Sequence, residues 1–295
     1  MDVTVRQARH EDTDAVTAFA EQVWDDRPET VDYIPDVFGS WVESDGPDQR
    51  TVVAEVDGTA AGCCQAVCLT DYEAWLQGMR VDPAHRGEGL GLAMVEDLLA
   101  WARERGATVA RNMVFSWNDA GLGQSVAAGF DPVTSFRFAH PAPRDVAVPA
   151  RVTADPSAAW DYWTASDGRT HLSGLALDRS QAWALSELTR PDLFELVTEE
   201  RVFAVTDDGT RGMACRIGTT TDGDGTALAE YAVGAWADRE AAAALFDAIR
   251  ADAADLGVER TRVLVPETPR HVAETAAVRA QLADWPDFVL AADLS

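Results

Sequence analysis

The chain has 295 residues, 47% hydrophobic and 25% charged, with 50 acidic residues against 24 basic ones and a formal charge of −26. This composition excludes a wholly disordered or collagen-like chain, and the charge opposes phosphate backbones and anionic lipid surfaces, so neither nucleic acid nor membrane is an expected partner. Every basic residue is Arg and no Lys occurs, which excludes a phosphate-loop lysine, a Schiff base and a lysine general base.

Val3 to Arg6 predicts a short strand, and His10 to Asp14 a helix entry with acids in its first turn. Ala15, Val16, Phe19 and Val23 follow at helical spacing, and Trp24 to Trp41 reads as a less regular helical stretch. Thr51 to Val56, the pair Asp57-Gly58 and the run after it predict a hairpin. Trp75 to Val81 predicts a strand, and Leu92, Val95, Leu99 and Ala102 an apolar helix stripe ending near Gly106. Val109 to Phe115 predicts a strand, Asp119 to Ala128 a short helix and Ser135 to Phe138 another strand.

Three of the four cysteines, Cys63, Cys64 and Cys68, share one apolar stretch, and Cys215 lies alone. Their spacing lacks the further ligands of a zinc site, so they are expected as free thiols in a reducing compartment, with no metal. Acid spread along a chain without Lys resembles the composition of proteins from salt-adapted (halophilic) microbes. The start of the chain shows no basic segment followed by an apolar core, and no apolar run approaches the ~20 residues of a membrane span; a cytoplasmic protein is expected.

Pro141, Pro143 and Pro149 mark a linker, which divides the chain into 1–143 and 150–295. The second part repeats the first at one offset: Asp57-Gly58-Thr59 returns as Asp208-Gly209-Thr210, Gly106 as Gly257 and Val114 as Val265. Two copies of one mixed α/β unit are expected.

The chemistry concentrates in Met79 to Ala93, a glycine-rich loop between a strand and a long helix. Glycines admit positive φ and close approach, and a helix start directs unpaired N–H groups outward. Together they suit a phosphate or pyrophosphate. Without Lys the loop is not a nucleotide phosphate loop, and its Gly spacing fails the dinucleotide fingerprint. What remains is Arg86, Gly89 and Gly91 in the order Arg-x-x-Gly-x-Gly, preceded by Val81-Asp82-Pro83.

With Asn118 and Gly129-Phe130 further on, this pattern resembles the GNAT superfamily of N-acetyltransferases over roughly residues 1–140. The resemblance implies a mixed α+β sheet and acetyl-CoA as cofactor, with Arg86, Gly87, Glu88, Gly89, Leu90 and Gly91 at the pyrophosphate. It also implies Met79 and Val81 along the pantetheine arm and Asn118 near the sulfur, although Asn118 is equally suited to cap a helix.

The expected function is transfer of an acetyl or other small acyl group to a primary amine of a small molecule or peptide. The alternative is a non-catalytic acyl-CoA-binding or regulatory protein. Both proton-handling positions depart from the family: Ser125 stands where relatives carry Tyr, and Gln77 where many carry Glu. Glu73 is then the nearest carboxylate on that strand, with solvation at the strand end as its other reading. An acceptor pocket is expected around Trp24, Asp26, Tyr33, Trp75 and Trp117, residues that serve equally as core or surface. The second copy replaces the loop glycines by Asp238, Glu240 and Ala242 and is expected to bind no CoA. Acceptor and oligomeric state are not legible.

Overall fold

The computed structural model describes residues 3–24, 27, 31–199, 201–221 and 225–295. In chain order the first elements are β1 (Val3–Gln7), α1 (Thr13–Ala20), α2 (Ile34–Ser44), β2 (Gln49–Val56), β3 (Thr59–Cys68), β4 (Glu73–Val81), α3 (Leu90–Glu104), β5 (Val109–Phe115) and α4 (Asp119–Ala127). Then come β6 (Asp131–His140), β7 (Val152–Thr153), α5 (Pro156–Ala165), α6 (Asp167–His171), β8 (Leu175–Leu177), β9 (Leu185–Glu187) and α7 (Arg190–Leu196). The remainder is β10 (Val202–Thr206), β11 (Thr210–Thr221), β12 (Ala227–Trp236), α8 (Arg239–Asp255), β13 (Arg260–Pro266), α9 (Pro269–Ala277), β14 (Gln281–Leu282) and β15 (Asp287–Asp293). Of the stretch from Trp24 to Trp41 expected to be helical, Ile34 to Trp41 lies in α2, where Pro35 suits the first turn; residues 25, 26 and 28–30 lie outside the described residues.

The chain forms two compact units. The first comprises Met1–Val114, Asn118–Pro132 and Leu290–Ser295, the second Phe115–Trp117 and Val133–Val289. The expected break at the proline-rich segment is therefore crossed twice. Most of β6 precedes that segment yet pairs with β13 in the second unit, Phe138 opposite Leu264. Residues 290–295 follow it yet belong to the first unit, where the Leu294 N–H donates to the Thr108 carbonyl at 2.9 Å.

In the first unit β1, β2, β3 and β4 are antiparallel neighbours, and β5 runs parallel to β4. A parallel neighbour requires a crossover, which α3 supplies. Its buried stripe includes Leu90, Met94, Val95, Leu98 and Ala102. The opposite side packs Val16, Phe19, Ile34 and Phe38 from α1 and α2 against Val53 and Cys63.

In the second unit β10, β11 and β12 are antiparallel, and β13 runs parallel to β12 after the crossover of α8. Hairpin, strand, long helix, parallel strand and short helix thus occur in the same order in both. The turns match as well: Asp57 and Gly58 have φ 48° and 90°, Asp208 and Gly209 51° and 116°. Positive φ at both central positions suits the twist of a two-residue hairpin.

All four cysteines are free thiols. Among the described residues no His, Cys, Asp and Glu cluster could hold a metal ion, and no helix is long and apolar enough to cross a membrane.

Candidate active site

The site lies where β4 and β5 part. Their ladder runs from Glu73 opposite Val109 to Leu76 opposite Asn112 and then ends, while β4 continues to Val81. A bulge follows at once: Gln65 pairs with Gln77 but Cys63 pairs with Arg80. Gly78 carries the bulge at φ 65°, and a side chain there would run into Trp41 and Ile34. Beyond it the Asp82 N–H donates to the Ala61 carbonyl on β3 at 2.8 Å. By strand alternation the N–H groups of Met79 and Val81 therefore face the opposite edge, toward the opening. The Met79 carbonyl accepts from Arg80 Nη1 at 2.9 Å, which leaves its N–H as the donor.

The glycine loop joins this edge to α3. Asp82 starts the loop by accepting the Ala84 N–H at 2.8 Å, and the His85 ring meets Glu88 at 2.8 Å. Arg86 is exposed and reaches the Val23 carbonyl at 3.2 Å. Gly89 is the N-cap of α3 at φ 84°, and no side chain caps the helix. A Cβ at Gly87 or Gly89 would stand in open space, so the start of α3 presents its N–H groups where no side chain stands over them. That geometry and polarity fit a phosphate group. Leu90 is turned into the core and contributes only backbone. At Gly91 a side chain would overlap the Gln124 amide, so this glycine serves the approach of α4. Gln124 was not foreseen, since nothing local in the sequence indicates that its amide lies over the loop.

Ser125 and Asn118 both come from α4 and its cap. Asn118 Oδ1 accepts the Gly121 N–H at 3.0 Å, the capping arrangement, which leaves its amide nitrogen as the group available to a ligand. Ser125 is buried, and Asn112 Nδ2 donates to its Oγ at 3.0 Å. Asn112 Oδ1 is buried without a partner. The Ser125 oxygen is thus an acceptor toward Asn112, and its hydroxyl proton is directed elsewhere.

Glu73 corrects both expectations. It is neither solvated nor at the opening: it is fully buried at the far end of the β4/β5 ladder, paired with Arg111, and accepts from Thr70 at 3.2 Å.

The aromatic residues also differ from the expected acceptor pocket. Arg80 lies 5.4 Å from the Trp24 ring and 5.5 Å from the Tyr33 ring, and donates to Asp32 at 2.6 and 3.2 Å. The cation held by these aromatics is the chain's own arginine, in an arrangement that suits cation–π attraction. Tyr33 also meets Trp41 edge-on at 6.2 Å. Trp75 is buried in the sheet between Val67 and Arg111 and lines nothing open. Trp117 belongs to the second unit and stacks on Phe115 at 5.1 Å. Asp26 lies outside the described residues.

The equivalent helix start in the second unit is closed. Asp238 caps α8, accepting the N–H groups of Glu240 and Ala241 at 3.0 Å each, and pairs with Arg211.

Residues 13–122 match the family model described as Acetyltransferase (GNAT) family. A streptothricin acetyltransferase of Streptomyces lavendulae is 36% identical over 90 residues, 27% of this chain and 46% of that protein. An aminoglycoside N(6')-acetyltransferase type 1 of Klebsiella aerogenes is 36% identical over 70 residues, 24% of this chain and 46% of that protein. The chain thus spans less than half the length of these curated relatives. The solved GCN5-related N-acetyltransferase of Sphaerobacter thermophilus, 18% identical, superposes with a TM-score of 0.60 over 99% of this chain and 96% of its own, a likeness of fold. The glycine loop, the bulged fourth strand and the parted β4/β5 ladder all lie inside the segment, residues 13–122, that matches the GNAT acetyltransferase family model.

Proposed function

We propose that this chain transfers an acetyl group from acetyl-CoA to a primary amine of a small molecule or peptide. The observation that carries the reading is the uncapped start of α3, open above Gly87 and Gly89, directly continuous with the free edge of β4. The names of the two curated relatives support an acetyltransferase, and the second supports nitrogen as acceptor atom. We read the second unit as a degenerate copy that binds no CoA.

The N–H groups from Gly87 to Gly91 would hold the pyrophosphate, with Arg86 as a charged donor. Those of Met79 and Val81 would align the pantetheine arm, and the Asn118 amide nitrogen would meet it near the sulfur. Bound acetyl-CoA would supply the thioester carbonyl that the amine attacks and the thiolate that departs. Ser125, whose proton is not used by Asn112, would donate a hydrogen bond to the sulfur. A serine hydroxyl is a weak acid, so the proton that the thiolate gains comes from water, and water removes the proton that the amine nitrogen loses. Holding the reactants in register is the main contribution of the protein.

Calorimetric titration with acetyl-CoA, followed by thiol detection of CoA release with a panel of primary amines, tests the reading. Binding with amine-dependent release is expected. No binding would overturn it, and binding without release by any amine would favour the non-catalytic alternative.

A further inference from the structure

A hydrogen-bonded row crosses three strands and ends at the opening. Gln77 Nε2 donates to Gln65 Oε1 at 2.7 Å, and Gln65 Nε2 donates to Thr51 Oγ1 at 3.0 Å. Thr51 Oγ1 donates to Asp45 Oδ1 at 2.9 Å, at the end of α2. Gln65 and Thr51 are fully buried, and Gln77 is half-buried.

The direction of this row follows from chemistry. An ionised carboxylate only accepts, and a threonine hydroxyl has one proton. Thr51 must spend that proton on Asp45, so it can only accept from Gln65, which must present its NH₂ group. The Gln65 oxygen then faces Gln77 and takes its NH₂ in turn. Asp45 is itself held by the Thr51 backbone N–H at 2.9 and 3.0 Å and by Gln7 at 3.1 Å. The side-chain oxygen of Gln77 is therefore the end turned away from the row, one residue beyond the last β4/β5 pair.

We propose that Gln77 presents its side-chain carbonyl to an N–H of the acceptor amine, in an orientation fixed from Asp45 through Thr51 and Gln65, and that, because an amide cannot take up the proton, the acceptor must lose its own before it reacts and attack as the neutral amine. This rests on the transferase reading. Gln77 aims the nitrogen and removes no proton; Gln65, Thr51 and Asp45 are positioning residues. The preferred acceptors are then amines that lose their proton near neutrality, such as the α-amine of a peptide or amino-acid amide, over alkyl ε-amines or polyamines.

Among the described residues, the other charged or titratable groups on this face are engaged or shut away, the buried Cys64 thiol against the Gln77 backbone carbonyl at 3.5 Å included. Arg80 is paired with Asp32 under Trp24 and Tyr33, Glu73 is paired with Arg111, and burial pushes the Cys63 thiol up to about 12. α1 packs the apolar Val16, Phe19 and Ala20 toward this core.

The test uses the full chain with saturating acetyl-CoA and a primary-amine panel that includes an alanine-terminated peptide and an Nα-blocked lysine, whose amines titrate near about 8 and 10. CoA release is followed against pH. The rising limb of kcat/KM should track the pKa of each acceptor. A limb fixed at one pH for every acceptor reports an enzyme base and overturns the proposal alone. Absence of release with all amines overturns it together with the transferase reading.

Asp45→Asn, which can donate as well as accept, frees the row to reverse; kcat/KM should fall about fivefold or more, with acetyl-CoA affinity unchanged. Gln77→Glu supplies a carboxylate, and its rising limb should become independent of the acceptor. Wild-type behaviour in both variants would also overturn the proposal.

Discussion

Asp238 accepts the Ala241 N–H at 3.0 Å, so the second unit satisfies with its own carboxylate a helix start that the first unit leaves open at Gly89. Two of the N–H groups an anion would use there, those of Glu240 and Ala241, are already taken, and the carboxylate repels it. Titration should therefore give one acetyl-CoA per chain. A stoichiometry of two would show that α8 also receives the cofactor.

Gly89→Glu places a side chain and a negative charge in the open space at the start of α3. At ~100 times its dissociation constant, a ligand stabilises its protein by roughly 2.7 kcal/mol. The wild type should show the corresponding rise in melting temperature with acetyl-CoA, and the variant none.

Ser125→Ala should affect stability more than rate. It removes the acceptor of Asn112 Nδ2 on a side chain whose Oδ1 is already without a partner. A buried polar group left unpaired costs about 1–3 kcal/mol. Turnover should fall less than about tenfold, below the ~10²–10⁴ contribution of a positioned acid. Denaturant unfolding and steady-state kinetics on one preparation check both; a larger loss of turnover at unchanged CoA affinity would make Ser125 the acid.

Burial pushes the Asp287 carboxyl up to about 7, with Arg137 pulling the other way. The native state thus holds this proton to higher pH than the unfolded chain, where a carboxyl titrates near about 4. The stabilisation linked to it is complete below the unfolded value and is lost as pH rises through 7. Asp287→Asn should raise the melting temperature at pH about 8 and give no gain near pH about 4. An equal gain at both would assign the effect to something other than the proton.

Truncation to residues 1–143 removes Leu290–Ser295 from the first unit and leaves β6 without β13. Both losses uncover strand edges, which invite association. The fragment should be insoluble or inactive, and deletion of residues 290–295 alone should lower the melting temperature of the full chain. A soluble, fully active fragment would contradict this.

The glycine loop was legible because its signals are local: a strand ending in Val81-Asp82-Pro83, glycines, then a helical stripe. Asp57-Gly58 identified its hairpin for the same reason. The pairing of Arg80 with Asp32 joins residues far apart in sequence, and aromatic residues next to acids read the same whether they await a ligand or hold an arginine. Glu73 looked like a strand-end charge because Arg111 meets it only across a parallel ladder. The exchange of β6 and residues 290–295 was hidden because strand patterning reports which face is buried, not which neighbour is paired.

Leu290–Ser295 also sets a schedule for synthesis. The ribosome finishes β5 at Phe115, but the strand that lies beside it in the first unit is made only when the chain reaches Leu290. At ~5–20 residues per second this delay is on the order of ten seconds or more. Throughout it the nascent first unit carries an open β5 edge. Its maturation therefore waits on synthesis of Leu290–Ser295, and a chain that stalls or terminates before them would leave a sticky half-sheet for chaperones or proteases.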